Sequence, residues 1–302
     1  MSHSIAIAAG ARSRRAAIGQ YFALTKPGII MLLLVTTVPA MVLAEDGMPG
    51  LWLIAATLIG GALASGGAGA INSYVDRGRD RLMRRTARRP LPMGEVEPQH
   101  ALYFGIMLGI AAFIWLVALV NLLTAVLAIG AMLFYVLIYS VWLKPATPQN
   151  IVIGGAAGAV PPLCGWAAVT GGLDWPPLVL FAIVFLWTPP HFWALALRFA
   201  DDYERAHVPM LPVVRGERET KRQILIYTVV LIAATLVLWP VAGTTWFYPA
   251  AAVALGAGFL WHAVRLYRRP GSEGAMRVFA YSIVYLALLF GAVALDVAVS
   301  NL

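Results

Sequence analysis

The sequence predicts an all-α, polytopic membrane protein, a bundle of nine transmembrane helices with its N-terminus inside and its C-terminus outside. Three observations carry this. Apolar residues make up 61% of the 302 positions and charged residues only 12%, whereas a water-soluble domain holds about 45–50% and about 25%. The apolar residues gather into nine runs, near the roughly 20 residues that a helix needs to cross a bilayer. When the runs are threaded alternately, all 22 Lys and Arg fall on one side.

The runs lie at about 28–44, 50–71, 100–120, 122–143, 151–169, 177–197, 223–240, 246–264 and 278–297. The first follows the basic stretch from Arg12 to Lys26 and lacks a small-residue cleavage site, so it stays as a helix rather than a signal peptide. Residues 1–24 are expected to be a flexible cytoplasmic arm, and the whole chain a single domain. The second and fifth runs concentrate small residues (Gly66, Gly67, Gly69; Gly154, Gly155, Gly158), which serve close helix packing. The sole cysteine, Cys164, has no intrachain partner, which excludes a disulfide scaffold.

Charge orients the bundle. Four Lys and Arg precede the first run, seven follow the second, Lys144 follows the fourth, six lie between Arg198 and Arg222, and four between Arg265 and Arg277. The opposite loops carry Glu45, Asp46 and Asp174 and no Lys or Arg. This one-sidedness sets the orientation. It also explains the net charge of +8 without nucleic acid. The long connections, Asn72 to Gln99 and Arg198 to Arg222, fall on the basic side, so function is expected at the cytoplasmic face. No Asp, Glu, Lys or Arg stands near the middle of any run, which argues for chemistry at the membrane edge over proton-coupled transport.

That edge carries a distinctive cluster. Asn72, Asp76 and Asp80 are spaced i, i+4 and i+8, so if the second helix continues through them they form one stripe. An amide and two carboxylates offer oxygen ligands to Mg²⁺, which completes its shell with water and substrate phosphates. Arg84, Arg85, Arg88 and Arg89 follow and could grip phosphate oxygens. The same stretch could instead be a solvated loop whose acids and arginines neutralise each other while the arginines face lipid headgroups.

A second cluster follows the sixth run. His191, Arg198 and Asp202 fall on one face if the helix continues, with Asp201, Tyr203 and Glu204 at its exit. Two acidic clusters at the same ends of even-numbered helices could face each other across a cavity and hold two metal ions around one diphosphate. His191 lies behind Pro189 and Pro190 and needs a polar partner at that depth, either as a structural group or as a contact to a substrate.

Asn72-xxx-Asp76-xxx-Asp80 followed by Met83-Arg84-Arg85-Thr86-Ala87-Arg88-Arg89-Pro90 resembles the first Asp-rich motif of the UbiA superfamily of intramembrane prenyltransferases. Leu24-Thr25-Lys26-Pro27, Lys144 with Thr147-Pro148-Gln149-Asn150, Thr188-Pro189-Pro190-His191-Phe192-Trp193 and Val208 to Val214 narrow the resemblance to its haem-farnesylating branch. The resemblance implies a helical bundle around a central cavity in the bacterial inner membrane, in which farnesyl diphosphate alkylates a vinyl group of haem b. It implies that Asn72, Asp76, Asp80 and Asp202 bind Mg²⁺-diphosphate, that Arg85, Arg89 and Lys144 grip phosphate, and that Arg198, His191 and Tyr203 contact substrate. A haem A synthase downstream is implied as a user of the product. The position four before Asp202 is Arg198 rather than a second acid, a departure that leaves Arg198 free for a phosphate or a haem propionate. Rival readings are a relative with another acceptor, such as an aromatic acid or chlorophyllide, and a transporter of an anionic lipid or metabolite.

Overall fold

In the computed structural model of the chain, residues 17–300 are described, apart from the side chains of residues 29 and 32–34. Arg12, Arg14 and Arg15 of the basic arm therefore lie outside the described residues. Residues 17–24, read from the sequence as the end of a flexible arm, are helical, and Leu24 is buried.

The helices are α1 (Pro27–Glu45), α2 (Leu51–Leu82), α3 (Pro98–Leu119), α4 (Leu122–Ala146), α5 (Asn150–Thr170), α6 (Trp175–Arg198), α7 (Leu211–Ala242), α8 (Phe247–Arg268) and α9 (Ala275–Ser300). No strand occurs among the described residues. Eight of these helices, α2 to α9, are long and apolar enough to cross a membrane, and a shorter apolar helix, Val35–Glu45, lies within α1. The protein is a multi-pass membrane protein. Proline opens α1, α3, α6 and α7 at positions where its missing N–H is no loss. Gly171 and Gly243 close α5 and α7 with φ of 70° and 65°.

The exposed surface confirms the solvent. Large apolar side chains such as Met107, Ile114, Leu137, Val229, Val253 and Leu288 face outward, an arrangement that only lipid rewards. Trp52, Trp175 and Trp246, exposed at the starts of α2, α6 and α8, mark one interface. Consecutive helices pack as neighbours, and α9 returns against both α1 and α6.

Three expectations change. Helix α2 runs eleven residues past the predicted end of its run, which shortens the long connection before α3 to residues 83–97. Much of the segment between α6 and α7 is likewise helical, including Ala200–Arg205. The fifth span is two helices, Asn150–Ala159 and Pro161–Thr170, because the Pro161-Pro162 pair cannot donate to the preceding turn. Polar caps tie these ends down. Asn121 accepts from Thr124 N at 2.8 Å and donates to Ala167 O at 2.7 Å, joining α4 to α5. Asp296 of α9 is buried and accepts from Thr245 N at 2.8 Å and Tyr248 N at 3.0 Å, capping α8 across the bundle.

Candidate active site

Helix α2 builds one wall of a cavity of about 450 Å³. From Thr57 to Asp80 its lining residues fall at helical spacing (Thr57, Gly61, Ala64, Ala68, Asn72, Asp76, Asp80), a stripe of about 35 Å at 1.5 Å per residue. Close approach makes room for it. A methyl at Gly67 would sit 2.7 Å from Gly105 O of α3, and one at Gly69 would sit 3.0 Å from Thr25 O. The second contact presses the chain before α1 onto α2 and delivers Lys26 to Asn72.

The charged side chains of the cavity gather at one end. Lys26, Asp76, Asp80, Arg85, Arg89 and Lys144 line that end, and apolar or small side chains such as Leu116, Ala128, Val160 and Leu286 line much of the rest. Asn72, Asp76 and Asp80 are exposed by only 2%, 1% and 3%, so the predicted stripe exists on a continuous helix. Asn72 accepts from Lys26 Nζ and donates to Asp76 at 2.9 Å and to Ser140 Oγ at 2.8 Å. Asp76 pairs with Lys144 at 2.5 Å and with Arg79 at 3.3 Å, and Asp80 with Arg89 at 2.9 Å.

Arg85, Arg89 and Lys144, with Lys26 beside them, outnumber the two carboxylates at this end. Burial first, then Arg89 and Lys144, pull the Lys26 ammonium down to about 7, against the opposing effect of Asp76 and Asp80. Its backbone is also strained, at φ 57° and ψ 59°, a left-handed conformation that costs a non-glycine residue about 1–3 kcal/mol. Such an end is built to receive a polyanion.

The arginine segment is neither loose nor simply solvated. Thr86 is buried and donates to Asp80 O at 3.0 Å, while Leu91 and Val96 pack beneath. Turns at Thr86, Ala87 and Arg89 fold the segment back, so Arg85 and Arg89 line the cavity while Arg84 and Arg88 are exposed and off it.

The second predicted cluster does not assemble as expected. The helix breaks at Phe199, with φ −116° and ψ 28°, so Arg198 and Asp202 are not on one continuous face. Arg198 is exposed and off the cavity wall, at the C-terminus of α6 where a cation suits the helix dipole. Asp202 is buried but also off the wall. It accepts the Arg85 backbone N–H at 3.2 Å and pairs with Arg205. Tyr203 and His191 do line the cavity.

Tyr135, Tyr139 and Lys26 line the cavity and escaped the sequence reading, whereas Lys144 was expected there. Residues 134–143 form a π-helix, whose wider turn brings Tyr135, Tyr139 and Lys144 to the same wall at spacings of four and five. That spacing, unlike the usual three and four, was the available signal. Lys26 was visible as the last cation before the first apolar run.

Among the described residues no three His, Cys, Asp or Glu side chains gather as a metal site. Two carboxylates and an amide on one wall instead suit Mg²⁺, an ion that keeps water and substrate phosphates in its shell.

Comparison with known proteins follows the same outline. The model of the UbiA prenyltransferase family matches residues 33–294. Protoheme IX farnesyltransferases from Nocardioides sp. and Gloeobacter violaceus are 54% and 52% identical to the chain, over 91% and 93% of it and 90% and 92% of their own lengths. The fold is similar to that of a digeranylgeranylglyceryl phosphate synthase, with a TM-score of 0.76 at 16% identity over 93% of this chain and 98% of that one. A UbiA homologue from Archaeoglobus fulgidus bound to DMAPP and Mg²⁺ aligns with a TM-score of 0.63 at 16% identity, over 91% and 99%.

Proposed function

The chain belongs to the UbiA prenyltransferase family, and on that premise we propose that it transfers the farnesyl group of farnesyl diphosphate to a vinyl group of haem b. The observation that carries this is the division of the cavity: a net positive rim around two buried carboxylates, opening onto an apolar channel. The relatives named protoheme IX farnesyltransferase supply the donor and acceptor.

The diphosphate sits at the rim and the farnesyl tail along the stripe of α2. Asn72, Asp76 and Asp80 would hold Mg²⁺, which when bound supplies positive charge to the leaving diphosphate. Lys26, Lys144, Arg85 and Arg89 take the remaining phosphate oxygens, with Lys26 and Lys144 turning from Asn72 and Asp76 to do so. As the allylic C–O bond breaks, its electron pair leaves with the diphosphate, and the preplaced cations stabilise that charge, each worth about 10²–10³ in rate by analogy with single oxyanion donors. The vinyl π pair forms the new C–C bond. The cation left beside the porphyrin ring takes the oxygen of one water and releases one proton, giving a hydroxyethylfarnesyl side chain. Apolar walls keep other water from the allylic cation. Arg85 and Arg89 reach the rim because Asp202 and Asp80 hold their segment, so Asp202 acts here by positioning.

The orientation that follows is N-in and C-out with nine spans, the rim at the cytoplasmic face of a bacterial inner membrane. Its support is that all Lys and Arg fall on one side. The product passes to a haem-oxidising enzyme downstream, such as a haem A synthase. Mass spectrometry of haems extracted from membranes with and without the protein tests the function. A shift of haem b to its hydroxyethylfarnesyl form is expected, and unchanged haem b would refute the acceptor.

A further inference from the structure

At the end of the cavity away from the charged rim, one large side chain stands among small ones. Leu116 of α3 lines the cavity there with Ala64 of α2 and Ala128 of α4, and it is exposed by only 1%. These residues share one apolar cluster with Ala112 and Ala125. Gly60 of α2 is the seat on which Leu116 rests. A methyl at Gly60 would sit 2.3 Å from Leu116 Cδ2 and 2.4 Å from its Cγ, so only glycine lets the leucine settle this deeply.

Hydrogen bonds hold this end in place. Trp115, next to Leu116, donates its Nε1 proton to Ala56 O at 2.9 Å, one turn of α2 from Gly60, and so locks α3 against α2. The bond from Asn121 Nδ2 to Ala167 O joins the start of α4 to α5 at the same end. Thr57, the first lining residue of α2, donates its hydroxyl proton to Leu53 O at 2.8 Å, within its own helix. Leu116 is thus a bulky group on a fixed helix, and moving it would forfeit close packing on every side.

Its depth matches the donor. Gly60 lies sixteen residues before Asp76 on the same unbroken helix, about 24 Å along the axis. The twelve-carbon main chain of a farnesyl group spans about 13 Å at the roughly 1.2 Å per bond of an extended chain. That leaves about 11 Å for the diphosphate and its ion beside Asp76. One more isoprenyl unit adds about 5 Å and runs the tail into Leu116. We propose that Leu116, seated on Gly60, is the stop that sets the length of the prenyl tail. This rests on the transfer reading above and adds to it a residue that chooses between donors, far from the reacting carbons.

The test is competition. Purified, reconstituted protein is given haem b with equal amounts of geranyl, farnesyl and geranylgeranyl diphosphate, and the haem products are counted by mass spectrometry. The wild type is expected to favour farnesyl. L116A should raise the ratio of geranylgeranyl to farnesyl product at least about tenfold, the low end of what a single methylene does in an apolar pocket, while farnesyl transfer, which reports folding, persists. The gain should lie in the KM for the longer donor, with the KM for haem unchanged. L116V, a milder change that keeps the test open if L116A does not fold, should move the ratio the same way by less. L116F should shift the preference the other way, toward geranyl, and G60A, whose methyl drives Leu116 off its seat, should follow it. A purely structural Leu116 would lower transfer from all three donors together. If the wild type transfers farnesyl and the variants keep its ratios, or L116A and L116F move them in the same direction, the proposal is overturned and the transfer reading stands. If the wild type transfers no prenyl group from any donor, the reading and the proposal fall together.

Discussion

Asp76 and Asp202 are both buried carboxylates near the ends of long helices, each with cations beside it in sequence, and the structure uses them differently. Asp76 stands on the wall of the cavity with Asn72 and Asp80 one turn to either side, facing Lys144. Asp202 stands behind the wall, where it accepts the Arg85 amide and pairs with Arg205. The difference comes from the backbone. Helix α2 continues unbroken through its acids to Leu82, whereas α6 ends at Arg198 and the chain turns at Phe199 before the acids arrive. A spacing of four has meaning for a site only if the helix persists.

Substitutions can break or sharpen this contrast. Asp76→Ala and Asp80→Ala should each lower farnesyl transfer by about 10²–10³ or more, in line with the loss of one preplaced electrostatic group, while the protein remains in the membrane. Near-normal turnover in either variant would remove the metal assignment. Lys144→Ala should raise the KM for farnesyl diphosphate about tenfold, a typical effect for a hydrogen bond to a charged group, and that for haem much less. An equal rise in both would place Lys144 outside the diphosphate site. Asp202 separates the two regions most cleanly. Asp202→Asn keeps an acceptor for the Arg85 amide and should retain most activity, whereas Asp202→Ala leaves that amide unpaired and should cost about 1–3 kcal/mol of stability, measured by thermal unfolding in detergent. Loss of turnover in Asp202→Asn to the level of Asp76→Ala would restore a second metal site. Arg198→Ala, at an exposed helix end, should change the rate by about twofold at most, as surface substitutions of about 0.5 kcal/mol do.

Much of the bundle was legible because bilayer physics acts on composition. Apolar runs and one-sided Lys and Arg need no knowledge of packing. The stripe of Asn72, Asp76 and Asp80 was legible for the same kind of reason, a local period on one helix. The break at Phe199 was not, since its residues carry no proline or glycine signal and the turn is set by Tyr203, Val208 and Met210 packing with Met83. The π-helical wall was hard to read too, because its one signal, the spacing of Tyr135, Tyr139 and Lys144 at four and five, does not fit the ordinary helical period. Lys26 was visible as a cation, but its place in the site was hidden by distance. It reaches Asn72 only because Gly69 lets two backbones touch, a contact across 46 positions.

The most direct measurement is single-turnover reaction of the purified, reconstituted protein with farnesyl diphosphate and haem b, with and without Mg²⁺, followed by mass spectrometry of the porphyrin and assay of free diphosphate. Hydroxyethylfarnesyl haem and diphosphate appearing in equal amounts, and only with the divalent ion, is the result expected of a rim that grips diphosphate above an apolar channel. Diphosphate retained on the donor, or farnesylation undiminished after chelation of the ion, would contradict it.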